Sequence, residues 1–574
     1  MQSDPNPTST ASTEGISGWI AFLRSFWAFA GGWWSSRERW KAITMIAGLV
    51  VLTIMQVGVA VALNLWNLRF FDALEQKALR SFFILIGVFI VIILANVGVT
   101  IAHLQVKRRL QVNWRRWLTR RVMQDWIAAG RHHTLSYASG RHDNPDGRIA
   151  EDIRIATEYA VDIGHSGLYS TILLVSFVNI LWAVSGSVSV LGIPIPGHLV
   201  WIAIAYTVVA TWIALKLGRP MTRAANRRQA SEADFRFGLA RARTHSLGIA
   251  LMQGEPDERR RSFRLFHKVF RAWNRQTAAL RRFFYYMATW PLLNQIFPVL
   301  IAAPRYIMGS ISLGTLMQAA QAFGQVVSAL SWPVDNLAKA AEWRASAERA
   351  RQLHDALAQL RRNRGIAGHL APAVSKAETL EFRKLVLTNG QGQPLAAPVD
   401  LVMLPGDQAS VSGDPALTGT LFHAAAGLWP WGEGRILLPS SGAVHFMPER
   451  PYVPLGPLHD ALCYPEARHV CGVVAVIEAL TRAGLVTWAD DLERSAAWDE
   501  VMPLADQQRL GFARLLLHRP AWVVMHGATS ALDAEAEQDM MRLIHEARAD
   551  TSVLVIGDRP ALGPSNKSIR LERV

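Results

Sequence analysis

Cysteine is nearly absent from this chain. Cys463 and Cys471 are the only two in 574 residues, which rules out a disulfide framework and a cysteine-based metal set. Acid is also scarce: 45 Asp and Glu stand against 60 Lys and Arg, a formal charge of +15. No internal repeat is visible, and the polar opening MQSDPNPTSTASTEG shows no cleavable signal pattern. Charged residues make up 18% of the chain and hydrophobic ones 51%, with 21 Trp. This balance is too apolar for a soluble enzyme and too charged for a pure membrane bundle. A membrane domain joined to a soluble one fits it.

Six apolar stretches approach the roughly 20 residues that a membrane-spanning helix needs. They run about Ala42–Trp66, Phe82–Ala102, Gly167–Val184, His198–Leu217, Phe283–Ala303 and Leu313–Trp332. The positive charge sits between them. Arg24, Arg37, Arg39 and Lys41 precede the first. A long basic segment from Lys107-Arg108-Arg109 through Arg120-Arg121 separates the second and third. Another, from Arg219 through Arg259–Arg261 to Arg281-Arg282, separates the fourth and fifth. The short loop SVSVLGIPIPG carries no charge. By the positive-inside rule both termini and both long loops are cytoplasmic. Loop-borne charge of this kind belongs to a membrane protein, and no nucleic-acid partner is expected. Both long loops carry Trp, Leu and Val at helical spacing and read as extensions of the spanning helices.

The expected organisation is residues 1–40 as a flexible N-terminus and pre-membrane helix, 41–364 as a six-helix membrane domain, 365–378 as a linker and 379–574 as an α/β domain. In the last of these, VSGDPALTGTLF (from Val411) follows a strand and opens a helix, where a phosphate-binding loop G-x-x-x-x-G-K-[ST] would lie. Gly413 and Thr420 fit its two ends. Thr418 stands in place of the second glycine and Gly419 in place of the lysine.

The membrane part resembles the SbmA/BacA-like transporters and the peroxisomal fatty-acyl ABC half-transporters. LNLWNLRFFDAL (from Leu63), NPDGRIAEDI (from Asn144), EADFRFGLARAR (from Glu232) and LMQAAQAFGQVVSALSWPVDNLAKAAEWRA (from Leu316) carry this resemblance. Gly147 departs from the glutamine usual there. The C-terminal part resembles the ATPase domain fused to such membrane domains. Together the match covers about Lys41 to Pro560. The resemblance implies an α-helical membrane domain of exporter type followed by an α/β P-loop-like ABC ATPase domain. It also implies a homodimer around a central cavity, in the bacterial inner membrane. Relatives move peptides, cobalamin or fatty-acyl conjugates, and some run on the proton gradient.

The resemblance also assigns roles to positions whose residues do not fit them. His526 and Gly527 stand where Asp-Glu would hold magnesium and orient water. Glu449 replaces the coupling glutamine. Pro503 and Ala505 replace Ser and Gly of the signature, and Asp558 replaces the switch histidine. Neutral imidazole is a poor ligand for magnesium, and glycine has no group to act as a base. Losing one preorganised donor typically costs about 10²–10³ in rate, so ATPase activity is expected to be absent and no cofactor is expected, with ATP and magnesium only if residual binding survives. His526 and Asp558 are either an exchanged ion pair or the result of independent drift.

The first functional reading is a transporter of peptide-like, cobalamin-like or amphipathic solutes driven by a proton gradient. The alternatives are an ATP-dependent ABC transporter with residual ATP binding and a non-transporting scaffold. Proton coupling needs titratable groups facing a cavity. Glu158, Asp162, His165, Glu232, Asp234 and Asp335 are the candidates, or else solvated and paired helix-end residues. Gln318, Gln321 and Gln325 recur on one helix face, either lining a polar cavity or hydrogen-bonding between helices.

Overall fold

The structure is a computed structural model that describes residues 16–137, 144–190, 193–363, 370–440, 444–557 and 567–573. The chain divides into two compact units, Met1–Arg121 with Asp146–Gln352 and Val122–Pro145 with Leu353–Val574.

The helices in chain order are α1 Ile16–Ala30, α2 Arg39–Glu75, α3 Leu79–Ile127, α4 Arg131–Thr134, α5 Ile153–Ser185, α6 His198–Thr244, α7 Ser246–Leu251, α8 Glu255–Ile307, α9 Leu313–Asp335 and α10 Leu337–Asn363. Five of them, α2, α3, α5, α6 and α8, lie in helices long and apolar enough to cross a membrane. Their apolar faces are open: Phe83, Val91 and Leu94 of α3 are each more than 60% exposed. A surface of this kind is stable only against lipid, and the chain is a multi-pass membrane protein.

The sixth expected span is α9, 23 residues long. It falls short of the apolarity of the other five because glutamines interrupt it. Its position explains this. Ala319, Ala322, Phe323 and Val326 are buried in one core with Val57, Phe177 and Ala203 from α2, α5 and α6. A helix enclosed by other helices needs no lipid-facing apolar band. The start of α9 is held by α2: Asp72 Oδ1 accepts the N–H of Gly314 at 3.0 Å and Glu75 Oε2 that of Leu313 at 2.9 Å.

The basic stretches Lys107–Arg121 and Arg219–Arg243 continue the helices α3 and α6, as their spacing predicts, and the second loop reaches α8 through the short helix α7. The 49 residues of α3 extend about 73 Å at about 1.5 Å per residue, more than twice a hydrocarbon core of about 30 Å. The NPDGRIAEDI motif opens into a π-turn, Arg148–Asp152. There Asp152 takes a bidentate pair from Arg349 of α10 at 2.9 and 2.6 Å.

The second unit carries β1 Ala373–Ser375, β2 Leu380–Leu387, β3 Val399–Met403, β4 Gln408–Gly413, β5 Gly432–Pro439, β6 Val444–Met447, β7 Trp522–His526, β8 Ser552–Ile556 and β9 Lys567–Leu571. Strands β9-β4-β8-β7-β6 form one five-stranded sheet, all neighbours parallel, and β1-β5-β2-β3 a second sheet. A parallel sheet is covered on both faces and reads as an apolar run. WVVM of β7 does so: Trp522 and Val524 enter one core with Leu417 and Leu421. Val523 and Met525 enter another with Leu510, Phe512 and Trp498. The helices flanking this sheet include α11 Pro415–Ala425 and α12 Leu504–His518.

Candidate functional site

The segment where the sequence pattern would place a phosphate loop is helical. A working loop holds about five residues in open conformation before its helix begins, so that backbone N–H groups converge on phosphate. Here β4 ends at Gly413 and α11 begins at Pro415. The first-turn donors are all accounted for. Pro415 has none. Asp414 Oδ1 accepts the Ala416 N–H at 2.8 Å. The Asp414 carbonyl accepts those of Leu417 at 2.9 Å and Thr418 at 3.0 Å. Proline at the first helical position after an aspartate cap is a stable helix start.

The remaining loop residues point into the protein's own hydrogen bonding. Thr418 is fully buried and its hydroxyl donates to the Pro415 carbonyl at 3.1 Å. The Thr420 hydroxyl donates to the Ala416 carbonyl at 2.7 Å. Gly419 lies inside α11, where an added Cβ would stand 3.7 Å from the His526 ring. That ring, at the end of β7, stacks on Phe422 with centroids 5.5 Å apart. Gly527 follows at φ +62°, its Cβ direction 3.2 Å from Glu449 Cβ. Gln508 of α12 anchors this corner: its amide donates to the Glu449 carbonyl at 2.9 Å and to Ser530 Oγ at 2.9 Å, and its oxygen accepts the Ala531 N–H at 3.0 Å. Gly419, His526, Gly527 and Glu449 therefore come together.

Pro503 caps α12 without a side-chain hydrogen bond, and Ala505 packs on the apolar core. In the same turn Asp506 accepts the Trp488 indole N–H at 3.1 Å. Asp558 lies outside the described residues, as does any pair it forms with His526.

Sequence reading missed a second feature of this unit. The segment from Gly130 through α4 to Tyr137 packs beside α11. Tyr137 lies edge-on to Trp429 and Trp431, with centroids 5.3 and 5.4 Å away, and His133 lies 5.8 Å from His423. Burial, then the nearby His133 and His526, hold His423 below the usual imidazole range. Trp-Pro-Trp at 429–431 and the His132-His133 pair were the available signals.

In the membrane unit Asp162 is the centre of a charged group. Lys339 Nζ lies 2.6 Å away, Lys107 Nζ 3.3 Å, and the Gln111 amide donates to it at 2.9 Å. One helical turn on, His165 faces His103 of α3, with ring centroids 4.2 Å apart. His165 and Tyr169 also line a cavity of ≈ 510 Å³ with Gln56, Phe89 and Asn96. The other candidates lie elsewhere. Glu158 pairs with Arg154 at 3.3 Å and Glu232 with Arg228 at 3.1 Å. Asp234 and Asp335 are exposed. Gln318 is buried, Gln321 Oε1 accepts from Asn64 at 3.0 Å and Asn67 at 2.7 Å, and Gln325 is half-buried. Neither Gln318, Gln321 nor Gln325 lines the cavity of His165.

Comparison with known proteins agrees with this architecture. Residues 34–307 match the family model described as ABC transporter transmembrane region 2. The chain is 28% identical over 542 residues to an uncharacterized ABC transporter ATP-binding protein of Haemophilus influenzae, covering 94% of this chain and 90% of that one. It is 26% identical to the inner membrane ABC transporter ATP-binding protein YddA of Escherichia coli (95% and 96% covered). Identity to ABC transporter D family member 2, chloroplastic, of Arabidopsis thaliana is 24% (94% and 84%). A solved bacterial Atm1-family ABC exporter with ATP bound has the same fold, with TM-score 0.65 over 92% of this chain and 93% of that one, at 15% identity.

Proposed function

We propose that the chain, whose residues 34–307 match the family model described as ABC transporter transmembrane region 2, works as a homodimeric half-transporter of the inner membrane. It carries peptide-like or amphipathic solutes of the kind moved by SbmA/BacA-like proteins, and it does not hydrolyse ATP at its own phosphate site. The observation that carries the second half is the start of α11. Its first-turn N–H groups are absent or already bonded to Asp414, and no lysine stands at position 419. Transport is driven by proton movement through Asp162 and His165: His165, one of the expected coupling residues, lines the cavity, and it faces His103, which was not among them.

The names of the relatives favour the other reading. Two of the three are called ATP-binding proteins, which supports an ATP-dependent transporter and bound ATP with magnesium rather than a chain without cofactor. A hydrolysing site here needs α11 to unwind by about a turn and Asp414 to release Ala416.

One experiment separates the two. The purified protein in lipid nanodiscs is tested for ATP binding and turnover, and in proteoliposomes for uptake of a labelled peptide under an imposed pH gradient. Uptake with a gradient and without ATP turnover supports gradient drive. Turnover that stimulates uptake and disappears in Thr420→Ala overturns it in favour of the ATP-dependent transporter.

A further inference from the structure

The groove between α6 and α8 carries a feature that neither ATP chemistry nor proton coupling uses. It encloses ≈ 690 Å³ and is lined by five cations, Arg223 and Arg227 from α6 and Lys268, Arg271 and Arg275 from α8. Spacings of three and four residues align each set along one helix face. The walls between them are small, Ala224, Ala230 and Ala272 among them, and no carboxylate contributes to the lining.

The missing acid is local to this groove. Arg228, next to Arg227 in sequence, pairs with Glu232 at 3.1 Å. Arg260 and Arg261, about two turns before Lys268, pair with Asp257 and Glu258. None of the five groove cations makes an ion pair among the described residues. Like charges held along facing helices repel one another unless an anion lies between them.

Position along the helices indicates where that anion sits. The apolar run of α6 ends at Leu217, about 9 Å along the axis before Arg223, and that of α8 begins at Phe283, about 12 Å beyond Arg275. The groove therefore begins just outside a headgroup layer of about 5–8 Å, near enough for the long side chains of Arg223 and Arg275 to reach toward it. Four of its five cations are arginines, whose planar fork matches two phosphate oxygens at once, whereas lysine acts as a point charge.

We propose that this groove binds a phosphate-bearing anion, held by Arg223, Arg227, Arg271 and Arg275. A phosphodiester headgroup of the surrounding bilayer and a soluble phosphate compound share this chemistry.

The test uses the full chain purified in neutral detergent, with native mass spectrometry counting retained ligand. The probes are phosphatidylglycerol, phosphatidylcholine as the lipid without net charge, and inorganic pyrophosphate as the soluble arm. Three proteins are compared: wild type, Arg223→Gln/Arg227→Gln/Arg271→Gln/Arg275→Gln, and a charge-matched control with Arg259, Arg260, Arg261 and Arg264 changed to Gln. We expect wild type and control to retain phosphatidylglycerol over phosphatidylcholine, and the groove variant to bind it at least about tenfold more weakly. Pyrophosphate binding that the groove substitutions abolish, without phosphatidylglycerol retention, assigns the site to a soluble phosphate compound instead. Equal ligand retention by wild type and groove variant overturns the proposal, and so does an equal loss in the control, which makes the attraction diffuse. Should the quadruple glutamine variant fail to fold, the same positions changed to Lys keep the charge and remove the fork. Weaker retention there supports the site, and unchanged retention overturns it.

Discussion

Asp414 caps the helix that begins one residue after it, its carboxylate accepting the Ala416 N–H at 2.8 Å. The same carboxylate lies 3.7 Å from Arg573. A negative side chain thus holds the helix end at which a phosphate-loop pattern would place phosphate. Asp414→Ala should cost about 1 kcal/mol of stability, the usual value of an N-cap, and should not create ATP binding. Thermal unfolding and titration with a fluorescent ATP analogue check the two parts. A gain of nucleotide affinity would mean that the cap alone had been closing the site.

Gly419 is a mid-helix glycine with ordinary contact distance to His526. Gly419→Ala should therefore raise the unfolding midpoint, by up to about 1 kcal/mol of helix propensity. A loss of stability would indicate that this residue needs freedom that α11 does not show.

Gly527 has φ +62° and faces Glu449 at 3.2 Å. Gly527→Ala should cost about 1–2 kcal/mol from backbone strain, and Gly527→Glu more, since it sets a second carboxylate beside Glu449. A restored ATPase built by adding back Lys, Asp, Glu and His would carry this penalty. Denaturant midpoints of the single variants decide it; a neutral Gly527→Glu would refute the strain.

Gly314 admits α9 to α2. A Cβ there would stand 2.0 Å from the Leu68 carbonyl oxygen and 2.4 Å from Asp72 Oδ1. Gly314→Ala should displace the helix start, break the bonds of Gly314 to Asp72 and Leu313 to Glu75, and cost about 1–3 kcal/mol by overpacking. Folded yield and midpoint in detergent measure the loss, and Ser312→Ala, which removes only a cap at the same turn, gives the smaller reference value.

His423 is held below its ordinary value chiefly by burial, then by His133 and His526. As pH falls, the unfolded chain takes up this proton first. The stability owed to neutral His423 is complete above about pH 6.5 and declines below it. Unfolding of the wild type should lose more between about pH 7 and pH 5 than unfolding of His423→Gln. Parallel curves would exclude His423 as a contributor.

Much of the architecture is legible in the residues. Lipid-exposed apolar runs have no other stable environment, so α2, α3, α5, α6 and α8 follow from composition, and the charged extensions follow from helical spacing. Enclosure of α9 is harder to read, because a glutamine such as Gln321, satisfied by Asn64 and Asn67, resembles one lining a channel. The early start of α11 is written in Asp414-Pro415, an aspartate cap before a first-turn proline. The phosphate-loop spacing points to positions 418–420 instead. The facing of His103 and His165, and of Tyr137 and Trp429, depends on packing between segments far apart in sequence, which no local pattern records.

The closed start of α11 also bears on how this chain can change. Placing lysine at 419 meets no phosphate while Pro415 and Asp414 keep the backbone helical, and removing the cap first weakens the domain before any ligand is gained. Each single step toward a nucleotide site is neutral or harmful. The order of substitutions behaves as a ratchet: a chain with this helix start acquires an open loop only by several simultaneous changes.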